Sequence, residues 1–327
     1  MASSLLLAWR SAAQKRRITD GLARAEELLA EVAGRYPGSL GEACLSTLDA
    51  GGKRVRPALV LLAARRTGPL GGPVLRAAAS VELLHMATLV HDDVLDGAVL
   101  RRGRPTVATR AGVGTAVSTG NYLLAEAFAQ LAATGDGRAV DLLSAVALGL
   151  SEGELLQMDG AFDVTLTADD YLRRSRLKTA NLFAASGQLG ALLSGIDERS
   201  VAAVAEYGES LGVAFQIFDD ILDFSGDETR TGKRVGTDVR DGTVTLPIVL
   251  ALKRRPRLAP LLVECRSNEE YVAALVAEIV ASGALEGARE VALEHIAQAR
   301  ASLARCSDEV EKDLLGQVAG YVVDRFS

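Results

Sequence analysis

The chain has 327 residues, of which 49% are apolar, 24% are charged and only 4% are aromatic. A net charge of −6 without any long basic run argues against nucleic acid as a partner. The N-terminal apolar run is too short for a signal peptide, and we expect no membrane span because glycines and charges interrupt every apolar stretch. The cysteines, Cys44, Cys265 and Cys306, show no metal-ligand spacing, so we expect reduced thiols in a cytoplasmic protein.

With so few aromatic residues, Leu, Ala and Val must fill the core, a composition that suits helix-on-helix packing. No proline lies between Pro105 and Pro247, which predicts successive helices. Apolar residues recur at helical spacing near both ends of the chain, at Leu22, Ala25, Leu29 and Val32 and at Leu293, Ile296, Ala299 and Leu303. Helix breaks are predicted at 36–38, 50–52, 68–73, 103–105 and 135–137, and a long polar loop at 225–242. The sequence thus predicts one all-α domain of ten or more helices over residues 1–327.

A first acidic cluster ends the predicted helix over Val81–Asp96. On a helix, Asp92 and Asp96 project from one face about 6 Å apart, with Asp93 beside them. Three carboxylates this close repel one another, and a divalent cation would offset that repulsion. Ligation by carboxylates alone favours Mg²⁺ over zinc. The simpler alternative is a solvated acidic helix end.

A second cluster of the same pattern, Asp219, Asp220 and Asp223, ends the apolar segment that begins at Gly212. Carboxylates rarely follow apolar helices unless they are paired or bind metal. Two such helix ends predict facing helices that share cations. Cations held between two acidic walls form a receptor for an anion that brings its own oxygens, above all a diphosphate.

Basic residues accompany the first cluster. Lys53 and Arg56 follow a double glycine, and the run 101–104 contains three arginines just beyond Asp96. Each group alone is more often a solvated charge run, but together they could bind an anion without metal. His85 lies two turns before Asp92 on nearly the same face. A lone helical histidine is usually a core residue, yet this one could reach a phosphate.

These features resemble the trans-type isoprenyl diphosphate synthases, the polyprenyl synthetase family, and among them the medium- and long-chain polyprenyl diphosphate synthases. The resemblance runs from about Gly51 to Pro247. Its blocks are GGKRVRP, LLHMATLVHDDVLD, LRRGRPT, EGELLQ, YLRRSRLKTANLF, AFQIFDDILD and TGKRVGTDVRDGTVTLP. The resemblance implies the type I isoprenoid synthase fold, a single-domain helical bundle around a central prenyl-binding cavity. It also implies a homodimer.

The family's functional residues carry over to matching positions of this sequence. Mg²⁺, with three ions per active site, would be held by Asp92, Asp96 and Asp219. Direct ligation or support of the ligands would come from Asp93, Asp220 and Asp223. The residues implied to bind the allylic diphosphate are Arg101, Lys178 and Lys233, with Thr179 and Gln216 near the reacting carbons. Those implied to bind isopentenyl diphosphate are Lys53, Arg56, His85 and Arg102.

The implied reaction is dissociative. Mg²⁺ and the lysines would stabilise the departing diphosphate, the double bond of isopentenyl diphosphate would attack the allylic cation, and a proton would pass to the released diphosphate. Dipoles of Thr179 and Gln216 would stabilise the cation. Two positions depart from the family pattern, because Thr243 replaces a usual Lys and Asn121 replaces a usual Asp. These departures affect the expected turnover and affinity rather than the reaction class.

Product length is expected to depend on the helix that precedes Asp92. The growing chain would run toward the helix N-terminus past Thr88, Ala87, Leu84 and Val81. Short-chain relatives carry bulky aromatics at the two positions occupied here by Ala87 and Thr88, and some carry an insertion in the first motif that this chain lacks. We therefore predict products longer than C20, with a geranylgeranyl or farnesyl diphosphate synthase as the alternative. The simpler alternative is that Ala87 and Thr88 only pack against other helices.

Two alternatives of other classes remain open. A terpene cyclase also ionises a prenyl diphosphate at an acidic cluster, but its second metal motif normally mixes Asn or Asp with Ser or Thr and Glu. A regulatory subunit of a heteromeric synthase loses aspartates from its motifs, whereas this chain keeps all six.

Overall fold

The structure is a computed structural model, and it describes residues 12–225, 235–266 and 268–325. The first half of the described chain is helical apart from one short hairpin. Its elements are α1 Ala12–Gly34, α2 Ser39–Asp49, α3 Val55–Ala63, α4 Gly72–Leu95, β1 Leu100–Arg101, β2 Arg104–Pro105, α5 Val107–Ala111, α6 Val113–Ala132 and α7 Gly137–Asp159. The two strands pair antiparallel.

In the second half of the chain, the regular elements among the described residues are all helices. Its α-helices are α8 Ala168–Ser175, α9 Asn181–Leu193, α10 Glu198–Ser225, α11 Thr237–Asp241, α12 Leu246–Arg254, α13 Ala259–Glu264, α14 Glu269–Val280, α15 Ala284–Leu303 and α16 Lys312–Arg325. A π-helix at Arg176–Ala180 joins α8 to α9, and a 3₁₀ turn at Pro256–Leu258 precedes α13. The all-α prediction is confirmed.

The chain divides into two compact units, each assembled from separate stretches of sequence. The first unit comprises Met1–Ala147, Ala184–Ala205 and Leu303–Val318, of which residues 1–11 lie outside the described chain. The second comprises Leu148–Phe183, Glu206–Ser302 and Ala319–Ser327, of which residues 226–234, 267 and 326–327 lie outside the described chain. That all of residues 1–327 form a single domain stays a prediction.

Several local predictions need correction. The loop predicted at 68–73 ends early, because Pro73 lies in the first turn of α4, where its missing N–H is no loss. The loop predicted at 103–105 is part of the hairpin. Within the loop predicted from Ser225 to Gly242, residues 237–241 form α11. Of the apolar residues at helical spacing near the C-terminus, Leu293 is 38% exposed, whereas Ile296, Ala299 and Leu303 are buried.

Helix α4 is long and apolar enough to cross a membrane by length and composition, although we expected glycines and charges to interrupt every apolar stretch. An 18-residue window within its 24 residues has a mean hydropathy of 1.3, and 72% of that window is buried in the fold. The core helix of a soluble protein passes the same test. The segments Glu270–Val280 and Ala284–Leu303 pass it only as a pair, and they are bent by 63°.

In the first unit, α4 packs closely against α6. The buried Ser80 of α4 donates a hydrogen bond to the carbonyl of Ala127 at 2.7 Å. One turn before the first acidic cluster ends, His91 lies against Gly120, where a Cβ atom would come within 2.2 Å of its ring. A larger residue at position 120 would therefore displace the ring of His91.

In the second unit, an apolar core forms where α12 and α14 meet the segments around them. Val239, Val244 and Ala251 are fully buried in it, and Phe224 at the end of α10 belongs to the same cluster. The end of α10, which carries the second acidic cluster, is thereby anchored to the core of this unit.

Candidate active site

The first acidic cluster lies at the end of α4, as predicted. Asp92 is half-buried, Asp93 is buried, and Asp96 is exposed at the C-cap. The backbone N–H of Asp96 donates to the carbonyl of Asp92 at 2.8 Å, so the two side chains are one helical turn apart. The negative end of the helix dipole adds to the repulsion among these carboxylates.

Asp93 is held by Arg101 of the hairpin. The Nε of Arg101 donates to Oδ1 of Asp93 at 2.7 Å. Burial raises the pKa of Asp93, and the charge of Arg101 and its hydrogen bond lower it again. The hairpin turns through Arg102 and Gly103, both with positive φ. Arg101, predicted to bind the allylic diphosphate, is thus committed to an aspartate in this structure.

A cavity of about 340 Å³ opens beside this ion pair within the first unit. Its lining is largely apolar by area but includes five arginines. The charged and titratable residues that line it are Arg54, Glu82, His85, Asp93, Arg101, Arg102, Arg104 and Arg110. Such a concentration of guanidinium groups around one concave site suits a phosphate or diphosphate.

Arg54, which the sequence analysis did not assign, is central to this cavity. Its φ of 52° places it in the left-handed region at the start of α3. Its side chain donates to Glu82 at 2.6 Å and to Glu26 at 3.3 Å. The sequence could have identified Arg54, because this residue lies inside the GGKRVRP block between Lys53 and Arg56. The buried Glu82 offsets part of the positive charge and fixes this arginine in place.

The predicted isopentenyl diphosphate residues divide into two groups. His85 and Arg102 line the cavity, whereas Lys53 and Arg56 are not among its lining residues. Burial lowers the pKa of Arg56 to about 10, an effect that Glu82 opposes. Burial, followed by the charges of the surrounding arginines, also lowers the pKa of His85 well below its usual value. His85 is therefore neutral near pH 7 and can serve as a hydrogen-bonding group.

The second acidic cluster lies at the end of α10 in the second unit, and its three aspartates have different surroundings. Asp219 is exposed, Asp220 is buried and Asp223 is half-buried. Asp223 caps helix α11, because its carboxylate accepts the backbone N–H groups of Thr237 at 3.1 Å and Asp238 at 3.0 Å. This is the usual function of an aspartate at a helix N-terminus.

Asp220 accepts hydrogen bonds on both carboxylate oxygens. The hydroxyl of Tyr171 donates to one at 2.6 Å, and the amide of Gln216 donates to the other at 2.7 Å. Gln216 in turn accepts from the hydroxyl of Thr179 at 2.6 Å. Burial raises the pKa of Asp220, and the bonds from Tyr171 and Gln216 lower it. Tyr171 was not assigned from the sequence, although it lies in the same block as Thr179.

The π-helix carries Lys178 and Thr179. Such irregular turns within helices are frequent at functional sites. Two glycines allow this one to pack tightly, because a Cβ at Gly153 would lie 2.7 Å from Cγ of Lys178 and a Cβ at Gly212 would lie 2.6 Å from Cα of Ala180. The ammonium of Lys178 pairs with Glu154 and donates to Gln157 at 3.1 Å. The EGELLQ block thus supplies the partners of Lys178.

The four residues predicted to control product length lie along α4. Val81, Leu84 and Ala87 are buried, and Thr88 is half-buried. The hydroxyl of Thr88 donates to the carbonyl of His85 at 2.8 Å, so its polar atom is directed back to its own helix. The side chains available along this stretch of the helix are therefore small or aliphatic.

The remaining residues singled out from the sequence are Lys233, Asn121 and Thr243. Lys233 lies outside the described residues. At the two departures from the family pattern, Asn121 is exposed on α6, and the backbone N–H of Thr243 donates to the carbonyl of Asp238 at 2.8 Å. Within the described part of the chain, no three His, Cys, Asp or Glu side chains are grouped so as to hold a metal ion.

Comparisons with known proteins agree with these motifs. A family model described as Polyprenyl synthetase matches residues 38–281. Heptaprenyl diphosphate synthase component 2 of Geobacillus stearothermophilus is 39% identical over 309 residues, which cover 94% of this chain and 97% of that protein. The geranylgeranyl diphosphate synthase of Methanosarcina mazei is 34% identical over 88% of this chain and 90% of that one. The crystal structure of the heptaprenyl diphosphate synthase of Staphylococcus aureus is similar with a TM-score of 0.90 at 32% identity, covering 95% of this chain and 99% of that one.

The family model covers most of the chain, and these relatives match it over nearly its whole length. The fold is accordingly the all-α type I isoprenoid synthase fold. Members of the family act on isopentenyl and allylic diphosphates, the class of anion that an arginine-lined cavity suits. The chain therefore belongs to the polyprenyl synthetase family of trans-type isoprenyl diphosphate synthases and is a prenyltransferase.

Proposed function

We propose that this prenyltransferase is Mg²⁺-dependent and condenses isopentenyl diphosphate head-to-tail with an allylic diphosphate to form a trans polyprenyl diphosphate longer than C20. One observation carries the proposal. The accessible carboxylates Asp92 and Asp96 end a helix beside a cavity whose lining includes five arginines. The acidic helix end suits a metal-bound diphosphate, and the cavity suits a second diphosphate bound by cations of the protein itself.

The donor set fits Mg²⁺. This ion is usually bound through one or two carboxylates, with waters and substrate phosphates completing its shell, and not by a cage built only from protein. The same preference explains why a group of three protein ligands is not needed among the described residues. We propose that Asp92, Asp96 and Asp219 hold the metal ions, three per active site, and that both clusters serve one allylic diphosphate. When bound, Mg²⁺ would neutralise charge on the departing diphosphate.

The side chains of the protein supply the remaining functions. Arg102 and neutral His85, together with Arg54, would bind isopentenyl diphosphate in the cavity and orient its double bond. Lys53 and Arg56, which are not among the lining residues, are expected to contact the same diphosphate from the start of α3 after a small movement.

On the allylic side, Arg101, Lys178 and Lys233 would hold the diphosphate. In this structure Arg101 is paired with Asp93 and Lys178 with Glu154, so each exchanges a protein carboxylate for a substrate oxygen on binding. These carboxylates keep the cations in place before the substrate arrives. The oxygens of Thr179 and Gln216 would then stabilise the allylic cation without forming a covalent bond.

Product length is proposed from α4. Ala87 and Thr88 place no aromatic ring below the first acidic cluster, and relatives named heptaprenyl diphosphate synthase support a long product. A relative named geranylgeranyl diphosphate synthase supports the shorter alternative. Introducing Ala87→Phe or Thr88→Phe should shorten the product by at least one five-carbon unit. Unchanged product length in both variants would refute the assignment of these residues.

We also propose that the protein forms a homodimer and acts in the cytoplasm. Helix α7 supports the first point, because Leu148, Leu155 and Met158 are 74%, 61% and 56% exposed and recur at helical spacing. The relative named component 2 supports the alternative, in which a second kind of subunit covers such a surface. Cys44, Cys265 and Cys306 form no disulfide bond in the part of the chain that the structure describes, which supports a reducing compartment.

One experiment tests these points together. The purified chain is incubated with isopentenyl diphosphate, Mg²⁺ and each allylic starter, the products are sized, and light scattering gives the oligomeric state. The proposal expects elongation beyond C20 by a dimer of this chain alone. Products of C15 or C20 would favour the short-chain alternative. A monomer without elongation would favour the heteromeric alternative, and a cyclic hydrocarbon would favour a terpene cyclase.

A further inference from the structure

Four side chains of the second unit form one continuous chain of hydrogen bonds. It runs from Thr179 on the π-helix through Gln216 and Asp220 on α10 to Tyr171 on α8. Its three donor–acceptor distances are 2.6, 2.7 and 2.6 Å. Thr179, Asp220 and Tyr171 are buried, so water is largely excluded from the bonds.

The direction of these hydrogen bonds is fixed at Asp220. When Asp220 is ionised its carboxylate can only accept, so both of its neighbours must donate, as Tyr171 and Gln216 do in the structure. The amide nitrogen of Gln216 is therefore turned toward Asp220 and its carbonyl oxygen toward Thr179. The hydroxyl of Thr179 donates its proton to that carbonyl oxygen. At the Thr179 end of the chain, only oxygen lone pairs are then left for other groups. The chain ends in acceptors, which suits a neighbouring carbocation.

Tyr171 is itself held firmly. The guanidinium of Arg174 lies 5.7 Å from the centroid of the Tyr171 ring and donates to the carbonyl of Val244 at 2.6 Å. Ser175 hydrogen-bonds the Tyr171 hydroxyl. The tyrosine is thus an ordered donor at the closed end of the chain, and it occupies the oxygen of Asp220 that Gln216 does not.

Asp219 is the contrasting neighbour. It is exposed, whereas both oxygens of Asp220 are engaged and its residue is only 5% exposed. Each oxygen of Asp220 keeps a second lone pair, so the hydrogen bonds alone do not exclude a metal ion. The obstacle is burial, because a hydrated ion could reach the carboxylate only by displacing Tyr171 or Gln216, which would leave a donor without its partner.

We propose that Asp220 is a positioning residue and not a metal ligand, and that Tyr171 and Asp220 together orient Gln216 and Thr179 so that oxygen lone pairs face the reacting carbons. The inference rests on the proposed function for its chemical meaning. The claim that Asp220 does not bind metal can be tested without knowing which allylic substrate is used or which product is formed.

The proposal predicts a rescue. In Asp220→Asn the new amide can donate to the side chain at position 216, so Gln216 can turn over and present N–H to Thr179, which reverses the chain. Adding Gln216→Glu restores an acceptor-only group next to Thr179. The amide introduced at position 220 then accepts from Tyr171 and donates to the carboxylate introduced at position 216. Every group is again satisfied, and the negative charge has only moved from position 220 to position 216.

The test measures kcat and KM together with Mg²⁺-dependent binding of inorganic pyrophosphate by calorimetry, for the full chain and its variants. Asp220→Asn should lower kcat about 10²-fold with KM and pyrophosphate affinity within about threefold of wild type. Asp219→Asn should weaken pyrophosphate binding at least about tenfold. The double variant Asp220→Asn/Gln216→Glu should recover at least about tenfold in kcat over Asp220→Asn.

Tyr171→Phe keeps the carboxylate of Asp220 and provides an alternative test if Asp220→Asn does not fold. It should lower kcat by roughly tenfold, because one of the two donors that orient Asp220 is lost. Asp169→Asn and Tyr271→Phe, exposed residues of the same unit, are the matched controls and should leave all parameters unchanged. Loss of pyrophosphate binding in Asp220→Asn as large as in Asp219→Asn would overturn the proposal, as would a double variant no more active than Asp220→Asn. If the wild type binds pyrophosphate but does not elongate, the proposed function fails while the metal-ligand comparison still decides this inference.

Discussion

The two aspartate clusters have the same sequence pattern but different surroundings. At the end of α4, the middle aspartate, Asp93, is paired with a cation, Arg101, from a hairpin. At the end of α10, the middle aspartate, Asp220, is held by two neutral donors, Tyr171 and Gln216. In both clusters the first aspartate is the more accessible of the adjacent pair. One pattern thus provides an accessible carboxylate next to a buried one.

The last aspartates differ as well. Asp96 is exposed beyond the end of its helix, whereas Asp223 caps the helix that follows its cluster. The first cluster therefore offers two accessible carboxylates and the second offers one. Equivalent aspartates of a repeated motif can therefore have different functions. This difference also predicts that equivalent substitutions in the two clusters have unequal effects.

The largest effects are expected for the first aspartate of each cluster. Asp92→Asn and Asp219→Asn should each lower kcat/KM at least about 10³-fold, because each removes a carboxylate proposed to bind Mg²⁺. If both serve one diphosphate, the double variant should be little worse than either single one. Steady-state kinetics measure this, with the exposed Asp159→Asn as control. If the loss in the double variant equals the product of the two single losses, the two clusters do not act on the same diphosphate.

The pairing of Asp93 gives the next largest effect. Arg101→Gln leaves a buried carboxylate without its cation and removes a group proposed to bind the allylic diphosphate. We expect kcat/KM for the allylic substrate to fall about 10²-fold and the free energy of unfolding to fall by about 1–3 kcal/mol. Kinetics and chemical denaturation measure the two effects. Arg257→Gln, at an exposed ion pair with Glu278, is the control and should change neither.

Substitutions at Asp223 distinguish helix capping from metal binding. Asp223→Ala removes the acceptor for two backbone N–H groups and should lower the free energy of unfolding by about 1 kcal/mol. Asp197→Ala is the matched control, because Asp197 accepts the backbone N–H of Ser200 at 2.9 Å near the start of α10 and should lose similar stability with full activity. Activity of Asp223→Asn is expected to fall no more than about tenfold. A loss equal to that of Asp219→Asn would make Asp223 a metal ligand as well.

The last effect concerns stability alone and arises at His85, in the cavity beside the first cluster. The pKa of His85 is lowered in the folded state, so the unfolded chain binds more protons below pH 6.5 and folding weakens as the pH falls. Stability should fall by up to about 1.4 kcal/mol per pH unit below that value. Thermal or chemical denaturation at pH 7.5 and pH 5.5 measures it, and His85→Gln should remove most of the difference. His295→Gln, whose pKa is lowered less strongly, should remove a smaller share, and equal effects would contradict this assignment.

Much of the fold followed from local patterns. Helical spacing and the absence of proline predicted the all-α class, and the helices that end in the two acidic clusters were placed correctly. The errors fell where a few residues decide the outcome, as at Pro73 and in the segment 237–241 that forms α11. A five-residue helix has too few apolar positions to show a period, and this one depends on a cap from Asp223, a residue of the preceding helix.

The sequence by itself determined the family, the reaction class and the presence of six aspartates at two helix ends, because these depend on residue identity and short spacing. Only the tertiary structure decided which aspartates are buried and what donates to them. The partner of Asp220 on α8 lies 49 residues away, and Arg54 reaches Glu82 on another helix. Burial and hydrogen bonding arise when distant segments pack together, so identical motifs acquire different chemistry.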